Sequence, residues 1–330
     1  SHGIVGNDVL GIRFGYLSTV KTNGQYYFFG ANHILYRGME ENAMGNTELT
    51  WEKSYKTDIG LDLGLFDNRV VLQADYFREH REDILQQRNT IPNSTGIYPW
   101  SVPYGNIGIV DNEGFDAMLE IRNTTAGGFF YSFKANVTYA HNTVIENDEP
   151  KPVYPYLSGK GQSLGQTFGY VAEGFFESEE EIAASPKQTF SANVRPGDIK
   201  YKDINGDGVI NSYDQVPIAF PRNPELSFGF GGTIAYKGFD LSAYFTGAAN
   251  TSLYLAGLGM WPFYDGMGTN NVLREYYDNR WTGPGCVAKY PAIDKGRNTN
   301  NYLVSNLWMR NGNYLRLRNA EFGYTFPQKL

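Results

Sequence analysis

Ile59-Gly-Leu-Asp-Leu-Gly-Leu-Phe66, Asp67-Asn68, Arg69-Val-Val-Leu-Gln-Ala-Asp-Tyr-Phe77 reads as one β-hairpin. Successive strand side chains face opposite sides, so Ile59, Leu61, Leu63 and Leu65 share one face, and Gly60, Asp62 and Gly64 the other. The return strand sets Val70, Leu72, Ala74 and Tyr76 against Gln73 and Asp75. Asp67-Asn68 suits a two-residue turn, because both residue types tolerate positive φ.

The pattern recurs. Phe115, Ala117, Leu119 and Ile121 alternate with Asp116, Met118 and Glu120, then turn near Thr124–Gly128. The return places Phe129 to Tyr139 on one face at odd positions, with Ser132, Lys134, Asn136 and Thr138 on the other. Glu120 and Lys134 fall on the same polar face and are expected to pair. A third hairpin, Leu226 to Phe245, turns at Lys237-Gly238. Strands are expected over 55–66, 69–79, 115–122, 128–140, 226–236, 239–247 and 314–326, as one antiparallel meander. In the last, Leu315 and Leu317 share one phase but Ala320, Phe322 and Tyr324 take the other, which predicts a β-bulge near Arg318-Asn319.

The connections alternate between tight turns and long segments, 11–50, 80–111, 142–224 and 247–311. The third is too long to lack its own substructure. Short turns at one end, long loops at the other and aromatic residues at both strand ends describe a transmembrane barrel. The fold class is therefore all-β, an antiparallel β-barrel portion. No run approaches 18 apolar residues, so no transmembrane helix is expected. Charged residues make up 19% of the 330, aromatics 15%, and the net charge is −7, which argues against a nucleic-acid partner. The single cysteine, Cys286, excludes an intrachain disulfide.

Several segments resemble SusC/RagA-like TonB-dependent transporters. They are Leu49-Thr-Trp-Glu-Lys53 with the first hairpin, Arg81-Glu-Asp-Ile-Leu85, Asn106-Ile-Gly108 with Asn112-Glu-Gly-Phe115, and Gly197-Asp198 leading into Asp203–Gly208. Tyr314–Asn319 and Gly323-Tyr-Thr-Phe-Pro327 complete the set. The resemblance implies an importer of the bacterial outer membrane, with a plug inside a barrel of about 22 strands. It also implies a SusD-like surface lipoprotein, a TonB complex, contact with outer-membrane lipid, and glycans or peptides as cargo. The chain is expected to be a C-terminal part of such a barrel over residues 1–330, without plug or TonB-contacting segment. A secreted, soluble, β-rich glycan-binding protein with a calcium-stabilised loop is the alternative. There, the apolar strand faces would fill a closed core.

Asp203, Asn205, Asp207, Val209, Asn211 and Asp214 stand at positions 1, 3, 5, 7, 9 and 12 of a calcium-type loop, with Gly208 at the turn position. Hard oxygen donors at this spacing can wrap one Ca2+. An Asx-rich turn held by its own hydrogen bonds is the competing reading. Trp100, Trp261, Trp281 and Trp308 lie in loops and are candidates for stacking on cargo or anchoring a partner. Gly161-Gln-Ser163-Leu-Gly165 matches a nucleophile-elbow pattern, but no His follows Ser163, so no enzyme is expected. The four His, at 2, 33, 80 and 141, lack zinc spacing.

Overall fold

The computed structural model describes residues 1–7, 14–97, 99–257, 259–263, 271–294 and 298–326. Its frame is one eight-stranded antiparallel sheet in sequence order. The strands are β1 (His2–Asn7), β2 (Glu52–Leu65), β3 (Val70–Gln87), β4 (Tyr104–Thr124), β5 (Phe130–Glu146), β6 (Leu226–Tyr236), β7 (Phe239–Ala249) and β8 (Tyr314–Tyr324). Every expected strand is present, and among the described residues no helix is long and apolar enough to cross a membrane.

The tight turns form as the sequence requires. Asp67 and Asn68 take φ of 58° and 59°, and Arg69 N–H donates to the Phe66 carbonyl at 3.2 Å. Lys237 and Gly238 do the same between β6 and β7, at φ 50° and 88°. Register then builds rows across the outer face. Leu63 pairs with Leu72, Leu72 with Leu119, Leu119 with Ala135, Ala135 with Phe230, Phe230 with Phe245 and Phe245 with Leu317. The Phe230 and Phe245 rings stack 5.3 Å apart.

The uppermost apolar row is Ile59–Tyr76–Phe115–Tyr139–Leu226, and the row above it is Thr57–Arg78–Glu113–His141. The outer face thus changes from apolar to charged within one step of the pleat. Ile59, Leu61, Leu63, Phe133 and Leu241 all stand exposed. They do not fill a closed core, so the soluble alternative loses its basis. An exposed apolar band of this height is what a lipid-facing barrel wall presents.

On the inner face Glu120 lies opposite Lys134, with 3.3 Å between Lys134 Nζ and Glu120 Oε2, as expected. The β-bulge is also present. Tyr244 pairs with Asn319 and Phe245 with Leu317, which leaves Arg318 as the extra residue of β8. Pro327 of the family-like Gly323–Pro327 motif lies outside the described residues.

Two boundaries differ from expectation. The segment 80–111 is not a single loop, since β3 runs on to Gln87 and β4 starts at Tyr104. A register shift between Arg81 and Ile84 bends β3 there, with Asp83 at φ 56°. β5 likewise continues to Glu146, beyond the expected end at 140. The cause is common to both. Above the apolar band both faces meet water, so alternation fades while backbone pairing continues. The 11–50 segment holds two short hairpin pairs, Thr19–Lys21 with Glu40–Ala43 and Tyr26–Phe29 with Ile34–Arg37.

Candidate functional site

The deepest packing lies in the long loops, not in the sheet. Tyr170, Ile199, Tyr201 and Ile210 from the β5–β6 loop join Trp261, Tyr276, Tyr290 and Trp308 from the β7–β8 loop in one buried cluster. The Tyr276 and Tyr290 rings stack at 4.7 Å, and Trp261 stacks on Tyr302 at 4.7 Å. Short strand pairs frame the cluster. Ala172–Phe175 pairs with Ile199–Tyr201, and Ser252–Tyr254 with Met309–Asn311. Two small helices, α1 (Glu179–Ala184) and α2 (Arg274–Asp278), flank it. The Ser178 side chain caps α1 by accepting from Glu181 N–H.

A buried polar knot ties the two loops. Asp198 Oδ1 accepts from Asn298 Nδ2 at 3.0 Å and Asn301 Nδ2 at 2.8 Å, while Oδ2 accepts from Arg195 N–H at 2.9 Å. Asn300 Nδ2 donates to the Ile199 carbonyl, and Asn300 Oδ1 accepts from Gln188 Nε2. Trp308 Nε1 donates to the Asn301 carbonyl at 2.8 Å. These groups are out of water, so each bond matters chiefly because leaving its partner unmade is costly. Burial pushes the Asp198 carboxyl above the ordinary aspartate value, against the pull of its hydrogen bonds.

Gly197, just before Asp198, sits at φ 88°. A Cβ there would come within 2.4 Å of the Trp281 ring and 2.6 Å of Ala292 Cβ. No side chain fits that turn, which gives the Gly197-Asp198 pair a structural reason.

The four tryptophans therefore separate. Trp308 and Trp261 are core residues, at 0% and 6% exposure, and cannot stack on a ligand from solution. Trp281 packs against the Gly197 turn, with its Nε1 buried and without a hydrogen-bond partner. Trp100 is exposed, with Lys21 Nζ 5.8 Å from its ring centre. Only Trp100 keeps the geometry of a partner-facing ring.

In the 203–214 loop, Asp203 accepts from Gly206 and Gly208 N–H at 2.7 and 2.8 Å. Asn205 accepts from Asp207 N–H, and Asp207 from Val209 N–H. Asp214 is fully buried, and its two oxygens accept from Ile204 and Asn211 N–H. Asn211 caps the following 3-10 turn at Tyr213 N–H. This is the bond pattern of a self-held Asx turn. Among the described residues, no three His, Cys, Asp or Glu side chains gather into a group able to hold a metal. The carboxylates placed to ligate Ca2+ thus already accept backbone N–H groups.

A cleft of about 660 Å³ opens on the inner face of β2–β5, under the 159–168 segment. Glu52, Glu79, Arg81, Asn112, Asn142 and Glu146 face it. Arg81 donates to Glu79 at 2.9 Å, and Lys160 reaches Glu146 at 2.6 Å. Gln86 Nε2, also on the lining, is buried without a hydrogen-bond partner. Sequence reasoning did not single out these residues, because they belong to four strands and share only their inward parity.

Comparisons agree with this geometry. No protein-family model matches the chain. The TonB-dependent receptor P3 of Formosa agariphila is 26% identical over 342 residues, covering 99% of this chain and 32% of the relative. The TonB-dependent receptor P26 of the same organism is 28% identical over 306 residues, covering 90% and 30%. The TonB-dependent receptor SusC of Bacteroides thetaiotaomicron is 23% identical over 332 residues, covering 98% and 31%. The chain thus spans about a third of the length of the curated relatives it matches. A solved structure of the RagAB peptide transporter superposes with a TM-score of 0.68 at 18% identity, covering all of this chain and 34% of that one. The chain is thus similar to SusC-like TonB-dependent receptors of the outer membrane over about a third of their length, and its antiparallel sheet has the fold of their barrels.

Proposed function

We propose that this chain forms part of the wall and the extracellular mouth of a TonB-dependent importer that takes up nutrients, glycans or peptides, with a SusD-like surface lipoprotein. One observation carries the reading. The sheet presents an exposed apolar band outward, a polar face inward, and above it two long loops locked into one buried core. A wall built this way separates lipid from a wet interior and holds a rigid rim over the opening. The inner cleft carries carboxylates and amides among its apolar lining, and these can hydrogen-bond a hydrated cargo.

The chain's own residues supply shape and polarity. Energy transduction belongs to a TonB complex acting through other segments. The test is uptake by cells carrying the full-length gene. Labelled oligosaccharide and peptide pools should accumulate in a TonB-dependent manner, and affinity purification should retain a surface lipoprotein. Uptake that is unchanged when TonB is removed would refute the proposal.

A further inference from the structure

We infer, resting on the import function proposed above, that the inner cleft is a subsite for cargo carrying a protonated amine beside an oxygen, and that Glu52 and Gln86 recognise that pair.

Glu52 is only 6% exposed and, at an even position of β2, faces inward with Asp62. Its one hydrogen bond among the described residues is long, from Leu85 N–H to Oε1 at 3.4 Å. Its neighbour Lys53 has the opposite parity and is held by Asp83 at 2.6 Å. The other two carboxylates on the lining are engaged. Glu79 accepts from Ser54 Oγ and from Arg81 Nη2, with Lys56 Nζ 3.8 Å away. Glu146 takes Lys160 Nζ at 2.6 Å and the N–H groups of Asn147 and Asp148. The cations around the cleft are therefore held at other acids, and Glu52 makes no ion pair among the described residues. A buried carboxylate without a cation is costly, and a cationic ligand removes that cost.

Gln86 adds a second unmet group. It lines the same cleft, and its Nε2 is buried without a hydrogen-bond partner. A buried polar atom left this way calls for a ligand or water to satisfy it. The Glu52 carboxylate is anchored at Leu85 N–H, and Gln86 follows Leu85, so acceptor and donor face the cleft from one stretch of wall.

Their complement is a ligand that brings a charged donor to Glu52 and an oxygen to Gln86. A peptide N-terminus has its ammonium beside a carbonyl, and a 2-amino sugar has it beside hydroxyls. A neutral sugar would leave the charge of Glu52 unmatched, and an anionic group would be repelled. Ile84, Val110, Val144 and Leu164 supply apolar surface to the same cleft, which lowers the local dielectric and strengthens contact between the charges.

The experiment uses the full-length protein in detergent, with heat-modifiable mobility confirming the barrel of every variant. Calorimetry at slightly acidic pH compares tetra-alanine with its N-acetylated form, and a glucosamine tetramer with an N-acetylglucosamine tetramer. At least one free-amine probe should bind roughly tenfold or more tightly than its acetylated form. Preference in the first pair identifies peptide cargo, and in the second amino-sugar cargo. Glu52→Gln keeps an acceptor for Leu85 N–H, so the wall should stand while the preference for the free amine disappears. Gln86→Leu should weaken the free-amine probe and keep part of the preference. Glu275→Gln, at an exposed position of α2 outside the cleft, should keep all of it. Equal binding of free and acetylated probes, or no binding of either free-amine probe, overturns the proposal. So does a preference that survives Glu52→Gln, which would assign Glu52 to a cation from another segment of the polypeptide. TonB-dependent uptake of neutral cargo without any amine preference in binding would sink the subsite alone, whereas loss of TonB dependence would sink the import reading.

Discussion

Asp198 accepts a 2.8 Å hydrogen bond from the Asn301 side chain, 103 residues further along the chain and in a different loop. Through this contact two segments that leave the sheet at separate strands close into one body. Its consequences for stability and for pH follow from the chemistry of a buried carboxylate.

Asp198→Asn should loosen the loop unit. An asparagine offers one acceptor where three donors converge, so at least one donor is orphaned at roughly 1–3 kcal/mol. Hydrogen exchange in full-length protein should show lost protection in 195–201 and 298–301, with the strands unaffected. The native carboxyl titrates above its unfolded value, so folding favours the protonated form. Its contribution is present below the ordinary aspartate range and is lost as pH rises through the folded value. Protection, corrected for intrinsic rates, should therefore rise as pH falls toward the ordinary aspartate value in the wild type but not in Asp198→Asn.

Lys in place of Leu63 or Phe133 should impair membrane assembly, because a charge on the lipid face costs about 2–4 kcal/mol at the bilayer midplane. Lys in place of Asp62 or Ser132 should assemble normally, since those side chains face inward. Heat-modifiable mobility of the full-length protein reads the difference. Equal damage at both pairs would reverse the assignment of faces.

Deleting Arg318 should be tolerated. Leu317 faces Phe245 and Asn319 faces Tyr244, so removing the residue between them restores plain alternation with Leu315 and Leu317 still outward. Deleting Leu317 instead also restores alternation, but it turns Arg318 toward lipid in the row of Leu63 and Phe230. That variant should lose about 2–4 kcal/mol and assemble poorly by the same gel assay.

Calcium titration of the full-length protein settles the 203–214 loop. The turn's carboxylates already accept backbone N–H groups, so the loop should persist after chelation, and Asp207→Asn should melt as the wild type does. Saturable uptake of calcium by the wild type, abolished in Asp203→Asn, would instead establish the metal.

The sheet was legible because lipid on one side and water on the other impose strict alternation. Ile59–Leu65 and Phe129–Tyr139 carry that imprint, and even the Arg318 bulge shows as a slip of phase. The loop core was not legible. Tyr170, Ile199, Ile210, Tyr276 and Tyr290 come from separate short pieces with no shared period, and their burial depends on a partner loop distant in sequence. Trp261 and Trp308 looked like ligand-facing rings for the same reason. Asn298-Thr-Asn-Asn301 was the available hint, since clustered amides far from any turn repeat invite the question of what they bond.

The sharp step from Ile59–Tyr76–Phe115–Tyr139 to Thr57–Arg78–Glu113–His141 acts as a waterline. Sinking by one row would drag an arginine, a glutamate and a histidine into hydrocarbon, and rising by one would strand four apolar side chains in water. The molecule therefore rides at a fixed draught. Its loop body stands at a constant height above the leaflet, so anything that meets the mouth from outside does so at one altitude, whatever the lateral motion of the barrel.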